Sequence, residues 1–345
     1  MSRNLHDRVL GSLLGAGIGD ALGAPTEGMS AEEIADRFGS RVVDFEDGSD
    51  NYYALGNDVA EVTDDASQTY EMARAVAECK GRLTVDAAAQ ALVRWSESYP
   101  KYYPRNAGPT TSQVIEALRA GGDPVELGML GRRFERGTSD GAAMRVAAAG
   151  LTRPGDLERA VENAVAMCRP SHGTQHAFSG ACAIACAVAE ALREDSTTVS
   201  VIQASVYGAR RGEEIGLATA RRAEGRRVLP VLRTALAEAL LAESMTDAER
   251  RLEDMVGAGG SIQEAVCVAL GLFLAADGDF EKTVVSCANI GGDTDTIACI
   301  AGSVAGAFCG ASAIRRDWVE RWTAANPMLD LEPVARELAD ICLDA

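Results

Sequence analysis

The chain is short of the residues that several functions require. Its 345 residues include only three histidines, His6, His172 and His176, and no Cys-x-x-Cys pair, which speaks against a zinc site of the usual Cys and His ligands. Basic residues are scarce: Lys and Arg total 33 against 51 Asp and Glu, a formal net charge of −18. Nucleic acid and anionic membrane surfaces both want a basic face, so neither is expected as a partner. Aromatics make up 5%, and with few of them to expose, a monomer is the expectation. Val-Val doublets occur only at 42–43 and 284–285, the second in a helical pattern, and runs of alternating polarity are hard to find, which leaves little for a sheet. The N-terminus has no long apolar run with a cleavage site, so no secretory signal is expected. No Pro-, Gly- or Ser-rich linker and no fixed repeat divides the chain, which is expected to form a single domain, 1–345.

What is present is apolar and helical. Apolar residues reach 47%, ample for a core. Nine cysteines, an odd number scattered through Ala-rich stretches, are expected to be reduced and buried, in a reducing, cytoplasmic compartment. Helical periodicity predicts helices over 63–79, 84–98, 111–120, 156–168, 174–193, 198–222, 228–243, 261–276, 279–288, 297–312, 314–324 and 332–343. The fold class expected is all-α. Residues 296–314 carry no charge, but their Ala, Gly, Ser and Cys content reads as a buried helix packed by small residues rather than a membrane span. The segment 37–62, with Asp44, Glu46, Asp47, Asp50 and Asp58 and three glycines, is expected to be irregular.

Carboxylates concentrate before two of these helices. One place is Thr63-Asp64-Asp65; the other is Gly291-Gly292-Asp293-Thr294-Asp295-Thr296. Each alone reads as an ordinary helix cap before it reads as a metal site. The second, however, supplies more oxygens than a cap needs and leads into a helix apolar all round, where charge requires pairing or a cation. If the two helix starts converge, Asp64, Asp65, Asp293 and Asp295 form a four-carboxylate cluster that cannot stay ionised without a counter-cation. With the Thr63 and Thr296 hydroxyls this is an all-oxygen set, suited to Mg²⁺ or Mn²⁺, with Ca²⁺ as an alternative, and with room for two ions.

Six segments in order resemble the ADP-ribosylglycohydrolase family. They are GSLLGAGIGDALGAPTE at 11–27, VTDDASQT at 62–69, RNAGPTT at 105–111, GTSDGAAMRVAAAGL at 137–151, SHGTQHAFSGACAIACAVAEAL at 171–192 and GGDTDTIACIAGSVAGA at 291–307. The resemblance implies an all-α fold with two Mg²⁺ ions held by Thr63, Asp64, Asp65, Asp293, Asp295 and Thr296. It departs at Ala66, where the family usually has Thr or Ser, and at Ala147-Ala148, where a proline is common. It also implies that Glu27 and Asp65 are catalytic carboxylates, and that Gly108, Ser139, Asp140, Gly141 and His172 contact the ligand. Arg145 is read as a phosphate contact or a structural ion pair, and His176 and Phe178 as core rather than an adenine-stacking surface. Asp20, placed in a Gly-rich turn, is expected to be structural and to bind backbone amides. Gly15, Gly17, Gly19 and Gly23 suggest close helix packing or tight turns; no strand precedes them, which excludes a dinucleotide loop.

The implied activity is Mg²⁺-dependent hydrolysis of a ribosyl glycosidic bond, releasing ADP-ribose from a modified protein side chain or small molecule. Two alternatives share the site: a nucleosidase acting on a small N-glycoside, and a silent ADP-ribose-binding or immunity protein. The acceptor would be chosen by 37–62 and 252–262, with Gly257, Gly259 and Gly260.

Overall fold

The computed structural model describes residues 2–131 and 137–344. Helices α1 (Ser2–Gly23), α2 (Ala31–Phe38), α3 (Asp64–Glu78), α4 (Val85–Ser98) and α5 (Pro109–Arg119) lead into the short α6 (Pro124–Gly128) and α7 (Ala147–Gly150). Then follow α8 (Leu157–Cys168), α9 (Gln175–Ala191), α10 (Thr198–Thr219), α11 (Val228–Leu241) and α12 (Met245–Met255). The chain closes with α13 (Ile262–Ala275), α14 (Phe280–Asn289), α15 (Thr294–Cys309), α16 (Arg316–Ala325) and α17 (Leu331–Asp344). Among the described residues there is no sheet, only the isolated bridges Ser30–Gly291, Ser139–Ser261 and Thr174–Arg221. The all-α expectation is therefore met.

The central contact is between the first helix and the fifteenth. Gly11, Gly15, Gly19 and Gly23 recur every four residues and so share one face of α1. They lie antiparallel against Gly306, Gly302, Ala298 and Thr294 of α15. A methyl group on Gly15 would sit 2.1 Å from the Gly302 carbonyl oxygen, and one on Gly19 would sit 2.1 Å from that of Ala298. The two backbones touch, and only residues without a Cβ permit it. The helices register end to end, so Gly23 meets Thr294 and Asp295, and Thr294 Oγ1 donates to the Gly23 carbonyl at 2.9 Å. The segment after α1, which carries Glu27, is thereby delivered to the N-terminus of α15.

The same helix docks α3. Asp20 is fully buried on α1 and accepts from the Thr63 amide at 3.0 Å, the Thr63 hydroxyl at 2.9 Å and the Ala66 amide at 2.8 Å. It binds amides, as its motif suggested, but from inside a helix rather than a Gly-rich turn. Helical periodicity does not reveal α1, for a physical reason. A helix buried on several faces shows no single apolar stripe, and each glycine lowers helix propensity by about 1 kcal/mol. It also left α2, α6, α7 and α12 unassigned, and α15 begins at Thr294, three residues before the expected start. The segment 252–262 is not wholly irregular, since its first residues finish α12. Residues 39–63 do run without a helix.

One apolar cluster extends from Leu5 to Cys342. All nine cysteines are free, and seven are buried. No helix among the described residues is long and apolar enough to cross a membrane.

Candidate metal centre

Helix α3 starts conventionally: Thr63 is its N-cap, and Asp64 and Asp65 occupy its first turn. Helix α15 does not. Asp293 holds its N-cap position but makes no side-chain cap hydrogen bond, so its carboxylate is left for other use. Its backbone is fixed instead by the Asp293 amide donating to the Ala258 carbonyl at 2.8 Å and the Gly292 amide donating to that of Met29 at 2.8 Å. Gly292 has φ +74°, and a Cβ there would lie 2.1 Å from the Ala258 oxygen. This glycine is required by both its backbone conformation and its neighbour.

The two helix starts open onto one cavity of about 390 Å³. Six carboxylates line it: Glu27, Asp64, Asp65, Asp140, Asp293 and Asp295. Carboxylate oxygens of Glu27, Asp293 and Asp295 lie within 4.8 Å of one another. Asp65 Oδ2 is 3.2 Å from Thr63 Oγ1, and Asp64 Oδ2 accepts from Gln68 Nε2 at 2.8 Å. Asp295 Oδ1 accepts from the Thr296 amide at 2.8 Å. Two further oxygens, Asp65 Oδ1 and Asp140 Oδ2, are buried with no hydrogen-bond partner. No Lys, Arg or His is among the described lining residues.

This arrangement is costly for the protein alone. Burial, then the neighbouring charges, holds the carboxyls of Asp65, Asp140 and Asp295 well above the usual range. Glu27 is held well above it too, by burial first and by the charges of Asp293, Asp64 and Asp20, although a hydrogen bond with Asp295 opposes the shift. Asp64 is pushed up to about 8 by burial and the Asp20 charge, against the lowering pull of Arg145. Asp20 is pushed up to about 7 by burial, against its three hydrogen bonds. Unpartnered buried oxygens in an all-oxygen donor set are what a hard divalent cation satisfies, and the residues fit one on that ground. The wider walls are Tyr53 from the 39–63 segment, Asn106 to Thr111 at the start of α5, Ser139 to Gly141 with Met144, and Gly260.

Comparison with known proteins decides the family. The sequence model of the ADP-ribosylglycohydrolase family matches residues 1–344. The chain belongs to that family. Members of this glycohydrolase family cleave ADP-ribosyl glycosidic bonds, and the chain is a hydrolase of that class. The chain is 30% identical to the uncharacterised protein YegU of Escherichia coli (strain K12), over 96% of each. It is 26% identical to the ADP-ribosyl-dinitrogen reductase glycohydrolase of Rhodospirillum rubrum, over 92% of this chain and 91% of the relative. It is 27% identical to the ADP-ribosylhydrolase ARH3 of Gallus gallus, over 92% and 89%. A solved ADP-ribosylglycohydrolase-related protein complex superposes with a TM-score of 0.68 at 24% identity, covering 99% of both chains, and shares the fold.

Within this glycohydrolase the residues singled out from sequence fall into two layers. Glu27, Asp64, Asp65, Asp293, Asp295 and Thr296 line the cavity, as do Gly108, Ser139, Asp140 and Gly141. Thr63 lies behind them, fully buried, between Asp20 and Asp65. His172 is also behind the wall: it is fully buried, and its Nε2 is 2.9 Å from Ser139 Oγ. Arg145 does not line the cavity and, among the described residues, makes no ion pair within 4.0 Å. It is fully buried and donates to Gln68 and Ser171. Phe178 is core, as expected. Asp140, expected as a ligand contact, brings its carboxylate to the acids that line the cavity. Tyr53, Asn106, Pro109, Thr110, Thr111, Met144 and Gly260 complete the wall. Asn106, Pro109, Thr110 and Thr111 lie in the RNAGPTT segment, Met144 in the 137–151 segment, and Tyr53 in the 37–62 segment expected to choose the acceptor.

Proposed function

We propose that this chain is a magnesium-dependent ADP-ribosyl hydrolase that releases ADP-ribose from a modified protein side chain or a small molecule. Two acidic helix starts and Glu27 on one cavity, with Asp65 Oδ1 buried and unpartnered, carry this reading. Thr63, Asp64, Asp65, Asp293, Asp295 and Thr296 would hold two Mg²⁺ ions, or Mn²⁺ in their place. When bound, the cations supply positive charge that fixes ribose hydroxyls and acidifies water.

The chain's own residues then do the rest. Departure of the leaving group builds positive, oxocarbenium character on the ribose. A wall of carboxylates with no basic side chain in the described lining favours that charge over the neutral ground state. Asp65 Oδ1 is a free acceptor for the proton of the attacking water. The Glu27 carboxyl lines the same cavity and can donate a proton to the leaving group. Gly108, Ser139, Asp140 and Gly141 bound the ligand, and Tyr53 bounds the mouth. Nine free cysteines suit a reducing compartment.

The test is release of ADP-ribose from ADP-ribosylated arginine and serine peptides, followed by mass spectrometry with Mg²⁺ and with EDTA. Release is expected with Mg²⁺ and not with EDTA. Asp293→Asn is expected to lower turnover by about 100-fold and to weaken Mg²⁺ binding in calorimetry. Retention of both by this variant overturns the site. Turnover of simple nucleosides alone would make the chain a nucleosidase, and tight ADP-ribose binding without turnover a silent binder.

A further inference from the structure

A line of hydrogen bonds runs from the interior to the cavity, and the reaction above makes no use of it. Arg145 lies in the turn before α7 and is fully buried. Its NH1 donates to Gln68 Oε1 at 2.7 Å, and its NH2 donates to Ser171 Oγ at 2.8 Å. The same NH2 is 3.4 Å from His172 Nδ1. Ser171 and His172 sit in the turn between α8 and α9, where Ser171 Oγ is 2.8 Å from His172 Nδ1. The opposite ring nitrogen, Nε2, is 2.9 Å from Ser139 Oγ, and Ser139 lines the cavity.

The direction of every bond follows from its buried end. A guanidinium has donors and no acceptor. Ser171 Oγ therefore accepts from Arg145, and its own hydrogen is free to go to His172 Nδ1. A proton on Nδ1 would face the Arg145 NH2 hydrogens as donor against donor, so Nδ1 is the acceptor. The neutral ring then carries its proton on Nε2 and donates it to Ser139 Oγ. With that lone pair taken, the Ser139 hydrogen turns to the cavity. Burial, and then the Arg145 charge, hold His172 far below its usual range and keep the ring neutral.

We propose that Arg145, Ser171 and His172 are positioning residues, forming a one-directional relay that fixes Ser139 as a hydrogen-bond donor to an acceptor oxygen of the ligand. The cavity thereby gains a polarised donor without placing a basic side chain among the carboxylates, where it would compete with the bound cations. The consequence for the ligand rests on the reading of the cavity as an ADP-ribose site; the direction of the relay does not.

The first measurement is long-range ¹H–¹⁵N correlation of the three histidine rings in the metal-loaded protein without ligand, with His172 assigned by its loss in His172→Gln. The expected result is a neutral ring protonated on Nε2. An Nδ1-protonated or charged ring overturns the relay, whatever the substrate. The second is calorimetric binding of ADP-ribose in Mg²⁺. His172→Leu and Ser139→Ala are each expected to weaken binding about tenfold, the worth of one hydrogen bond to a charged group. The double variant is expected to be no weaker than Ser139→Ala alone. His172→Gln, which keeps a donor toward Ser139, should recover most of the affinity, and KM should rise more than kcat falls. Additive losses, or no recovery by Gln, overturn the proposal. If the wild type does not bind ADP-ribose, the functional reading fails, and the ring tautomer still judges the relay.

Discussion

Asp20 accepts from three donors at the start of α3, yet it does not line the cavity. Its removal leaves the Thr63 and Ala66 amides buried without this partner and the Thr63 hydroxyl with only the longer contacts to Asp65 and Asp295. Asp20→Ala is expected to destabilise the protein by about 3 kcal/mol, read from denaturant unfolding. It should also weaken Mg²⁺ binding in calorimetry, because Thr63, Asp64 and Asp65 lose their anchor. A residue that only filled space would lower stability and leave metal affinity unchanged. Thr63 belongs to the same chain of contacts, bridging Asp20 to Asp65 from a fully buried position. At this scale the sequence showed which residue types matter. It could not show which of them face the cavity and which stand one layer behind, because facing depends on neighbours hundreds of residues away.

At the scale of elements, α1 joins the two acidic motifs. Its glycine face sets the approach to α15 and its Asp20 sets the position of α3. A methyl group at either Gly15 or Gly19 would overlap a backbone carbonyl of α15, and backbone cannot move aside as a side chain can. Gly15→Ala is expected to cost about 3 kcal/mol, measured by denaturant midpoint. Gly19→Ala lies closer to the cavity and should lower Mg²⁺ affinity as well as stability; equal Mg²⁺ affinity in the two variants would contradict this geometry. The helices with a clean apolar stripe and a cap, such as α4 and α8, were legible within a residue or two. Helix α1 was not, since its spacing of glycines every four residues is a packing signal and local propensity opposes it. Helix α12, polar on most of its surface, was missed for the opposite reason.

Over the whole molecule, the charge of −18 and the buried acids make stability depend on pH and metal together. Asp64 is pushed up to about 8 and Asp20 to about 7. Without metal, these groups keep protons in the folded state that the unfolded chain has already released. The folded state thus binds more protons, and stability falls as pH rises from about 4 toward 8. The Tm of EDTA-treated protein is expected to decline between pH 5.5 and pH 8, about the interval of these shifts. Added Mg²⁺ displaces the protons and replaces the missing counter-charge, so its increment in Tm should be larger at pH 8 than at pH 5.5. An increment independent of pH, or larger in acid, would contradict a cation bound by these carboxylates.

The residue pattern by itself determined the all-α class, most helix positions and the two acidic stretches, because hydrophobic period, caps and carboxylate doublets are local features of the chain. Tertiary structure alone decided that α1 is a helix, that Asp293 leaves its cap role, that Asp140 joins the acids, and that His172 and Arg145 stand behind Ser139. Each of these depends on the close approach of α1 to α15, or on a loop pinned by distant backbone. Such approaches are chosen by packing across the whole core, which no window of sequence contains.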